Sequence, residues 1–321
     1  SIAWPFARVG FRNRALFACV GGEAVARRIP LEPTEINRLA WAFAYPGKPA
    51  EERTGRAGGF RDADLLEHVA SEARKHVHRL DPLQASSVAW AFATLAYRDD
   101  GLLRALGTCC AAGDALRVFD AQNIAYLMWS LARLRVRHPE LAHAACEEAV
   151  RRGLGVFDHR HLSMLLWALA RLGERHSGFW AATRRHVPDT YAAHLDDPQG
   201  VASLAMVIHA LNQAGERNAT NELLERVLAL GIDVSGDAYG GWLAGCQAHQ
   251  DVDRELRIWE HMAGTAPSHG LRAAAGNMAA IRALELGRAD RAAAALESQA
   301  AAGLANGVSV QLRADPRLAA P

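Results

Sequence analysis

The chain has 321 residues, with 36 basic against 35 acidic side chains, a formal net charge of +1, 50% hydrophobic residues and 5 Cys. This composition excludes a disordered chain, a collagen-like fibre and a disulfide-built scaffold, and leaves a helix-prone globular chain long enough for one extended or two compact domains. Lys48 and Lys75 are the only lysines, so 34 of the basic residues are arginine. That bias is explained by GC-rich coding or by arginine's advantage in bidentate phosphate contacts and base stacking. Near-neutrality argues against a large basic nucleic-acid surface.

Residues 1–22 hold Arg8, Arg12 and Arg14, no acid and several large apolar residues. The stretch reads either as the remnant of an organelle transit sequence near its cleavage point or as an ordinary first helix. No run of about 18 apolar residues occurs, so no membrane-spanning helix is expected.

From residue 31 the chain repeats itself. Residues 31–44 (LEPTEINRLAWAFA), 80–93 (LDPLQASSVAWAFA), 119–132 (FDAQNIAYLMWSLA) and 157–170 (FDHRHLSMLLWALA) align on Trp41, Trp90, Trp129 and Trp167. A degenerate fifth copy from residue 195 places Met206 where the tryptophan stood. The spacings are 49, 39, 38 and 39 residues, the long first interval carrying a Pro- and Gly-rich insertion over 46–59. Asp81, Asp120, Asp158 and Asp197 stand at N-cap positions, and Pro82 and Pro198 at the first helical position; Glu32-Pro33 is the weaker first version. The apolar residues that follow, such as Ile124, Leu127, Met128, Leu131 and Leu134, have helical spacing. A second helix is expected in each unit, over 62–79, 101–118, 139–154 and 178–194, the last kinked or split at Pro188. A single hairpin cannot bury its apolar faces, so the units must stack into a solenoid. The regular tryptophans read as packing between repeats rather than as base-stacking platforms.

The segments 119–134 and 157–172, with the pattern F-D-x-x-x-[IL]-[AS]-x-L-[ML]-W-[AS]-L-A-R-L, resemble the helix signature of octotricopeptide repeat proteins and the related FAST-kinase-like and RAP-domain proteins. The resemblance covers about residues 30–215. It implies an organellar α-solenoid acting on RNA in transcript processing, stability or translation, or within an organellar ribonucleoprotein such as a ribosome. No RAP-like domain follows the repeats, so no attached nuclease-like activity is implied. Beyond residue 200, three shorter hairpins with turns at Gly215, Gln250 and Gly287 resemble pentatricopeptide units. In that family a polar residue early in each first helix reads a base edge. The corresponding positions here are Met206, Gly241 and Met278, which cannot tell donors from acceptors.

Charge divides similarly. Residues 1–200 hold 26 basic and 22 acidic residues, and residues 201–321 hold 10 and 13, so an RNA surface belongs to the first part. The candidates are Arg133, Arg135 and Arg137, Arg171 and Arg175, and the pairs Arg151-Arg152 and Arg184-Arg185. Arg133 and Arg171 each lie four residues past their tryptophan; they form a ladder along one concave face, or are solvated arginines favourable to helix C-termini.

Neither H-E-x-x-H nor C-x-x-C occurs. His76/His78 and His159/His161 are i, i+2 pairs pointing to different sides of a helix. The cysteines read as small buried residues of a reducing compartment. No metal, cofactor, small-molecule substrate or catalytic constellation is expected. The fold expected is an all-α, right-handed α-solenoid of about eight stacked helical hairpins: an N-terminal extension over 1–29, octotricopeptide-like repeats over 30–200, pentatricopeptide-like repeats over 201–305 and a tail over 306–321. The function expected is a non-enzymatic, imported organellar protein of mitochondrion or chloroplast that binds single-stranded or ribosomal RNA. The alternative is a protein–protein scaffold, a structural or assembly subunit of a large organellar complex.

Overall fold

The computed structural model describes residues 3–11, 13–45, 59–194, 198–266 and 268–301, with Leu312 and Asp315. Within these residues there are sixteen α-helices and no strand. In chain order they are α1 (Ala3–Arg8), α2 (Arg14–Ala26), α3 (Pro33–Ala44), α4 (Ala63–Lys75), α5 (Pro82–Thr94), α6 (Asp100–Ala111), α7 (Ala121–Arg133), α8 (Pro139–Arg152), α9 (His159–Leu172) and α10 (Ser177–Ala192). The remainder are α11 (Pro198–Ala214), α12 (Arg217–Leu230), α13 (Gly236–Ala248), α14 (Val252–Thr265), α15 (His269–Glu285) and α16 (Ala289–Ala301). Consecutive helices pair into eight hairpins, so the protein is an all-α helical-repeat solenoid. It divides into two compact units, Ser1–Thr183 and Arg184–Pro321. No helix among the described residues is long and apolar enough to cross a membrane.

Capping fixes where each helix begins. At the first helices, Asp81 accepts from the Gln84 N–H at 2.8 Å, Asp120 from Asn123 at 2.6 Å and Asp158 from His161 at 2.7 Å. In α3 the Glu35 side chain reaches back to the Glu32 N–H at 3.2 Å, half of a capping box. The fifth N-cap, Asp197, and the insertion at 46–58 lie outside the described residues. The second helices have caps the sequence patterns did not flag: Asp62, Asp99, His138 and His176 accept from the N–H groups of Leu65, Leu102, Leu141 and Phe179.

Every turn between first and second helix, from α5 to α16, carries one residue in the left-handed region. These residues are Ala96 (φ 50°), Arg135 (58°), Gly173 (79°), Gly215 (81°), Gln250 (56°) and Gly287 (71°). At each, this residue's N–H bonds to the carbonyl three back and the next residue's N–H to the carbonyl five back, as in Ala96 to Ala93 and Tyr97 to Phe92. That is a Schellman motif, which satisfies two orphan carbonyls of the ending helix. The turn positions Gly215, Gln250 and Gly287 are therefore as the sequence placed them, and the same chemistry runs through both units.

Three expectations are corrected. The second helices end earlier than expected, at Lys75, Ala111 and Arg152, and short 3-10 turns at Val77–Arg79, Ala115–Val118 and Leu154–Val156 lead into the next unit. Of the kink or split expected at Pro188, the split does not occur: α10 runs unbroken through it. Proline removes one backbone bond, and the buried Val187 and Tyr191 hold the turn by packing. The tryptophans are not fully interior. Trp41, Trp90, Trp129 and Trp167 are each half-buried, packed between repeats with part of the ring uncovered, while Ile124, Leu127, Met128 and Leu131 fill the interior with at most 1% exposure. Indole is large and amphipathic, so a regular position suits a half-covered surface as well as an interior.

In the first unit, successive first helices α3, α5, α7 and α9 pack closely on one another, more so than the second helices α4, α6 and α8. The first helices thus form the more tightly packed layer of this unit. α1 and α2 precede this series as a further hairpin, α1 packed on α3 and α2 on α4. The hairpin of α7 and α8 is also tied at its base. Arg152 at the end of α8 donates to the carbonyls of Phe119 at 2.6 Å and Leu116 at 2.8 Å, just ahead of α7. Glu148 holds Arg152 in place, and its carboxyl is held down to about 2, first by the Arg151 guanidinium and then by Arg152, against the opposing effect of burial.

The second unit is built differently at its surface. Trp242 is 2% exposed and donates its indole N–H to the Thr220 carbonyl at 3.2 Å. α11 and α13 approach so closely that a Cβ on Gly241 would sit 2.9 Å from Ile208 Cγ2, and Asn212 bonds the Gly241 carbonyl at 2.7 Å. The cysteines are free. Cys110, Cys146 and Cys246 are buried and burial pushes their thiols up, but Cys19 is exposed and Cys109 half-buried beside His78, against the expectation that all are interior.

Candidate nucleic-acid interface

The half-exposed tryptophans define one face. Counting from each tryptophan, the positions seven and three before it and four after it lie on the same side of the helix. On α3 these are Thr34, Arg38 and Trp41, with Tyr45 just past its end; on α5, Leu83, Ser87, Trp90 and Thr94; on α7, Gln122, Tyr126, Trp129 and Arg133; on α9, Arg160, Met164, Trp167 and Arg171. All but Met164 are half-buried or exposed, and none is acidic. The face carries an aromatic residue on each of four successive helices and an arginine on three of them, α3, α7 and α9. His161 stands beside it, its ring edge-on to Tyr126 at 5.6 Å, and burial lowers its pKa against the pull of Asp158.

Arg133 and Arg171 are held in equivalent poses. The Arg133 guanidinium lies over the Trp129 ring, 5.2 Å from its centroid, and that of Arg171 over Trp167 at 5.1 Å. Each Nε donates to the last turn of the preceding first helix, Arg133 to the Ala93 carbonyl at 3.1 Å and Arg171 to that of Ala132 at 3.2 Å. Neither forms an ion pair among the described residues. Stacking and one backbone bond fix the plane of the group and leave its terminal N–H donors for a ligand, which suits the bidentate geometry of a phosphate.

The remaining candidates fall elsewhere. Arg135 is the left-handed residue of the α7–α8 turn and Arg137 follows it; both are exposed and form no ion pair among the described residues. Arg175 is exposed in the next turn. Arg151 is bound twice to Glu148, at 2.8 and 2.6 Å. Arg152 is mostly buried and spends its donors on Glu148 and the carbonyls of residues 116, 117 and 119, so it is a hairpin staple. Arg184 and Arg185 belong to the second unit, where Arg184 bonds both Glu216 oxygens at 2.7 Å.

Several members of the face were not singled out by the sequence patterns. Arg38, Tyr45, Tyr126 and Arg160 share a helix face with their own tryptophans by register alone, and only the pairing of Tyr126 with Trp90 needs one helix laid on the next. Trp4 in α1 was legible: it stands 37 residues before Trp41 in the run WPFAR, with Arg8 four residues on. Arg8 and Arg38 both lie 5.2 Å from the Trp4 ring centroid. The fold also gathers His143, Glu147 and His176, whose ligand atoms lie within 4.8 Å of one another, where the sequence singled out other histidine pairs. The i, i+4 spacing of His143 and Glu147 was the available signal. His176 Nδ1 is already engaged in capping α10.

Residues 57–139 match the family model of the RNA-editing substrate-binding complex 6 protein, a span that covers α4 to α7 and the turn that follows. Among curated proteins none matches the chain. The chain is thus similar, over the centre of its first unit, to a family named for an RNA-editing substrate-binding complex.

Proposed function

We propose that this chain is a non-enzymatic, organellar RNA-binding repeat protein, mitochondrial or plastid, working as a subunit of a ribonucleoprotein. RNA lies along the first-helix face of unit 1. The observation that carries this reading is the acid-free array of stacked arginines and half-exposed aromatics on α3, α5, α7 and α9. Arginine fixed over indole offers both phosphate contact and a base-stacking edge, the two ingredients of single-strand binding. The match of residues 57–139 to an RNA-editing substrate-binding complex subunit supports the same class of role. The octotricopeptide likeness of 119–134 and 157–172 points the same way.

The test is direct binding of fluorescent single-stranded RNA by the purified chain across a salt series. The expected result is an affinity that falls steeply with salt, because phosphate contacts release counterions. Salt-independent binding or none overturns the reading.

The scaffold reading is favoured by the second unit, where eight arginines are already neutralised by acids and the positions of Met206, Gly241 and Met278 offer no base-reading group. It predicts a native particle that resists RNase.

A further inference from the structure

One groove of the first-helix face is built for more than phosphate. It spans about 390 Å³ across α3, α5 and α7 and is lined by Trp41, Tyr45, Trp90, Tyr126, Asn123 and, from α9, Arg160. Its aromatics come as two pairs. Trp41 and Tyr45 stack at 4.4 Å with their planes 15° apart, and Trp90 and Tyr126 lie 6.5 Å apart at 31°. Both pairs line the same cavity, which is large enough to take another ring.

The polar groups of the groove suit a planar, hydrogen-bonding ligand. Asn123 is only 6% exposed, and its Oδ1 takes the Ser86 hydroxyl at 2.9 Å. Its amide N–H groups have no protein partner among the described residues, and Ser86 fixes the direction in which they are offered. Gln122 and Ser87 add exposed or half-exposed polar groups at the rim. No carboxylate lines the groove. Arg160 is exposed at its α9 edge and forms no ion pair among the described residues.

We infer that this groove takes unpaired nucleobases of single-stranded RNA, stacked on Trp41/Tyr45 and Trp90/Tyr126, with Asn123 donating to a base-edge acceptor and Arg160 meeting the adjoining phosphate. The inference rests on the RNA reading above and deepens it: the protein holds bases, not only the backbone. Duplex RNA cannot enter, because its bases are already stacked and its major groove is too narrow for side chains. An aromatic segment of a partner protein would fit the ring pairs but leaves Arg160 without an anion.

The experiment compares a base-bearing single-stranded RNA decamer with an abasic ribose-phosphate strand of the same length, titrated into the full chain at fixed salt. Each base stacked on an aromatic side chain contributes about 5- to 150-fold in affinity. The base-bearing strand is therefore expected to bind at least about tenfold more tightly. Tyr126→Leu and Trp90→Phe, each checked for an unchanged melting temperature, should narrow that ratio while leaving abasic binding as it was. Equal binding of the two strands overturns the groove and leaves the phosphate reading standing. Absence of binding by either strand overturns both. Binding of an aromatic peptide in preference to either strand overturns the groove in favour of a protein partner.

Discussion

The two units share their turns and differ in what they do with arginine. In the second unit Arg184, Arg217, Arg226, Arg254, Arg257, Arg282, Arg288 and Arg291 are all in ion pairs, many of them between successive hairpins, as in Arg217 with Asp251 and Arg257 with Glu225. In the first unit Arg27, Arg74, Arg79, Arg98, Arg117, Arg151 and Arg152 are paired as well, but Arg38, Arg133, Arg135, Arg137, Arg160 and Arg171 form no ion pair among the described residues, and three of these six lie against indole rings. A charge paired within the fold is neutralised before a polyanion arrives; one stacked on an aromatic ring is oriented and still available. Net charge near zero thus conceals a local contrast, and that contrast is the ground on which we propose the first unit as the nucleic-acid-binding one.

The sharpest way to break that comparison is charge reversal. Arg133→Glu with Arg171→Glu is expected to weaken single-stranded RNA binding by about 10- to 100-fold and to make the slope of log affinity against log salt shallower by about 1.4, at roughly 0.7 per phosphate contact. Arg257→Glu in the second unit should leave RNA affinity alone. Fluorescence anisotropy at several salt concentrations decides, and a larger loss from Arg257→Glu than from the first pair would reverse the assignment.

Next in size is the hairpin base. Glu148→Gln leaves Arg152 half-buried without its carboxylate and should cost about 2 kcal/mol in denaturant unfolding. Because the folded carboxyl is held down to about 2, below its usual value, its contribution is complete above the unfolded pKa of 4.5 and is lost as pH falls from there through about 2. The wild-type and Glu148→Gln stabilities should therefore converge at low pH; parallel curves would show that the ion pair contributes nothing.

Gly241→Asn supplies a polar group at a base-reading position of the second unit. The prediction is a loss of about 1 to 2 kcal/mol, from overpacking against Ile208, with no gain in RNA affinity. An increase in RNA affinity would mean that the second unit reads bases after all.

The smallest effect separates turn from ligand. Ala96→Gly and Arg135→Gly each relieve a left-handed conformation and should raise stability by about 0.5 to 1 kcal/mol, measured by thermal unfolding. If Arg135 also meets RNA, its replacement raises stability and lowers affinity together. Ala96→Gly then serves as the control that moves stability alone.

Much of the architecture was written in the chain. A cap residue, a helical spacing of apolar groups and a left-handed turn are local events, each decided within about four residues, so Asp81, Asp120 and Asp158 mark their helix starts and Gly215 and Gly287 their turns without reference to the rest of the molecule. Repetition at 38 or 39 residues then requires stacking, because no hairpin buries its own faces. Even the equivalence of Arg133 and Arg171 was legible from their common distance to a tryptophan.

What the sequence could not assign was the side of the helix that faces outward. An indole at a fixed register in an apolar helix has the same local pattern whether a neighbour covers it or solvent does, and only the lateral approach of α3, α5, α7 and α9 leaves Trp41, Trp90, Trp129 and Trp167 half uncovered. The same approach sets Ser86 against Asn123 across 37 residues and closes the groove that Trp41, Trp90 and Tyr126 line. It also spends Arg152 on carbonyls 33 and 36 residues away, and so removes from the candidate surface a residue that charge alone had placed there. Local chemistry determined the helices and their turns; packing between repeats decided which side chains a ligand can reach, because burial depends on neighbours that lie far off in the chain.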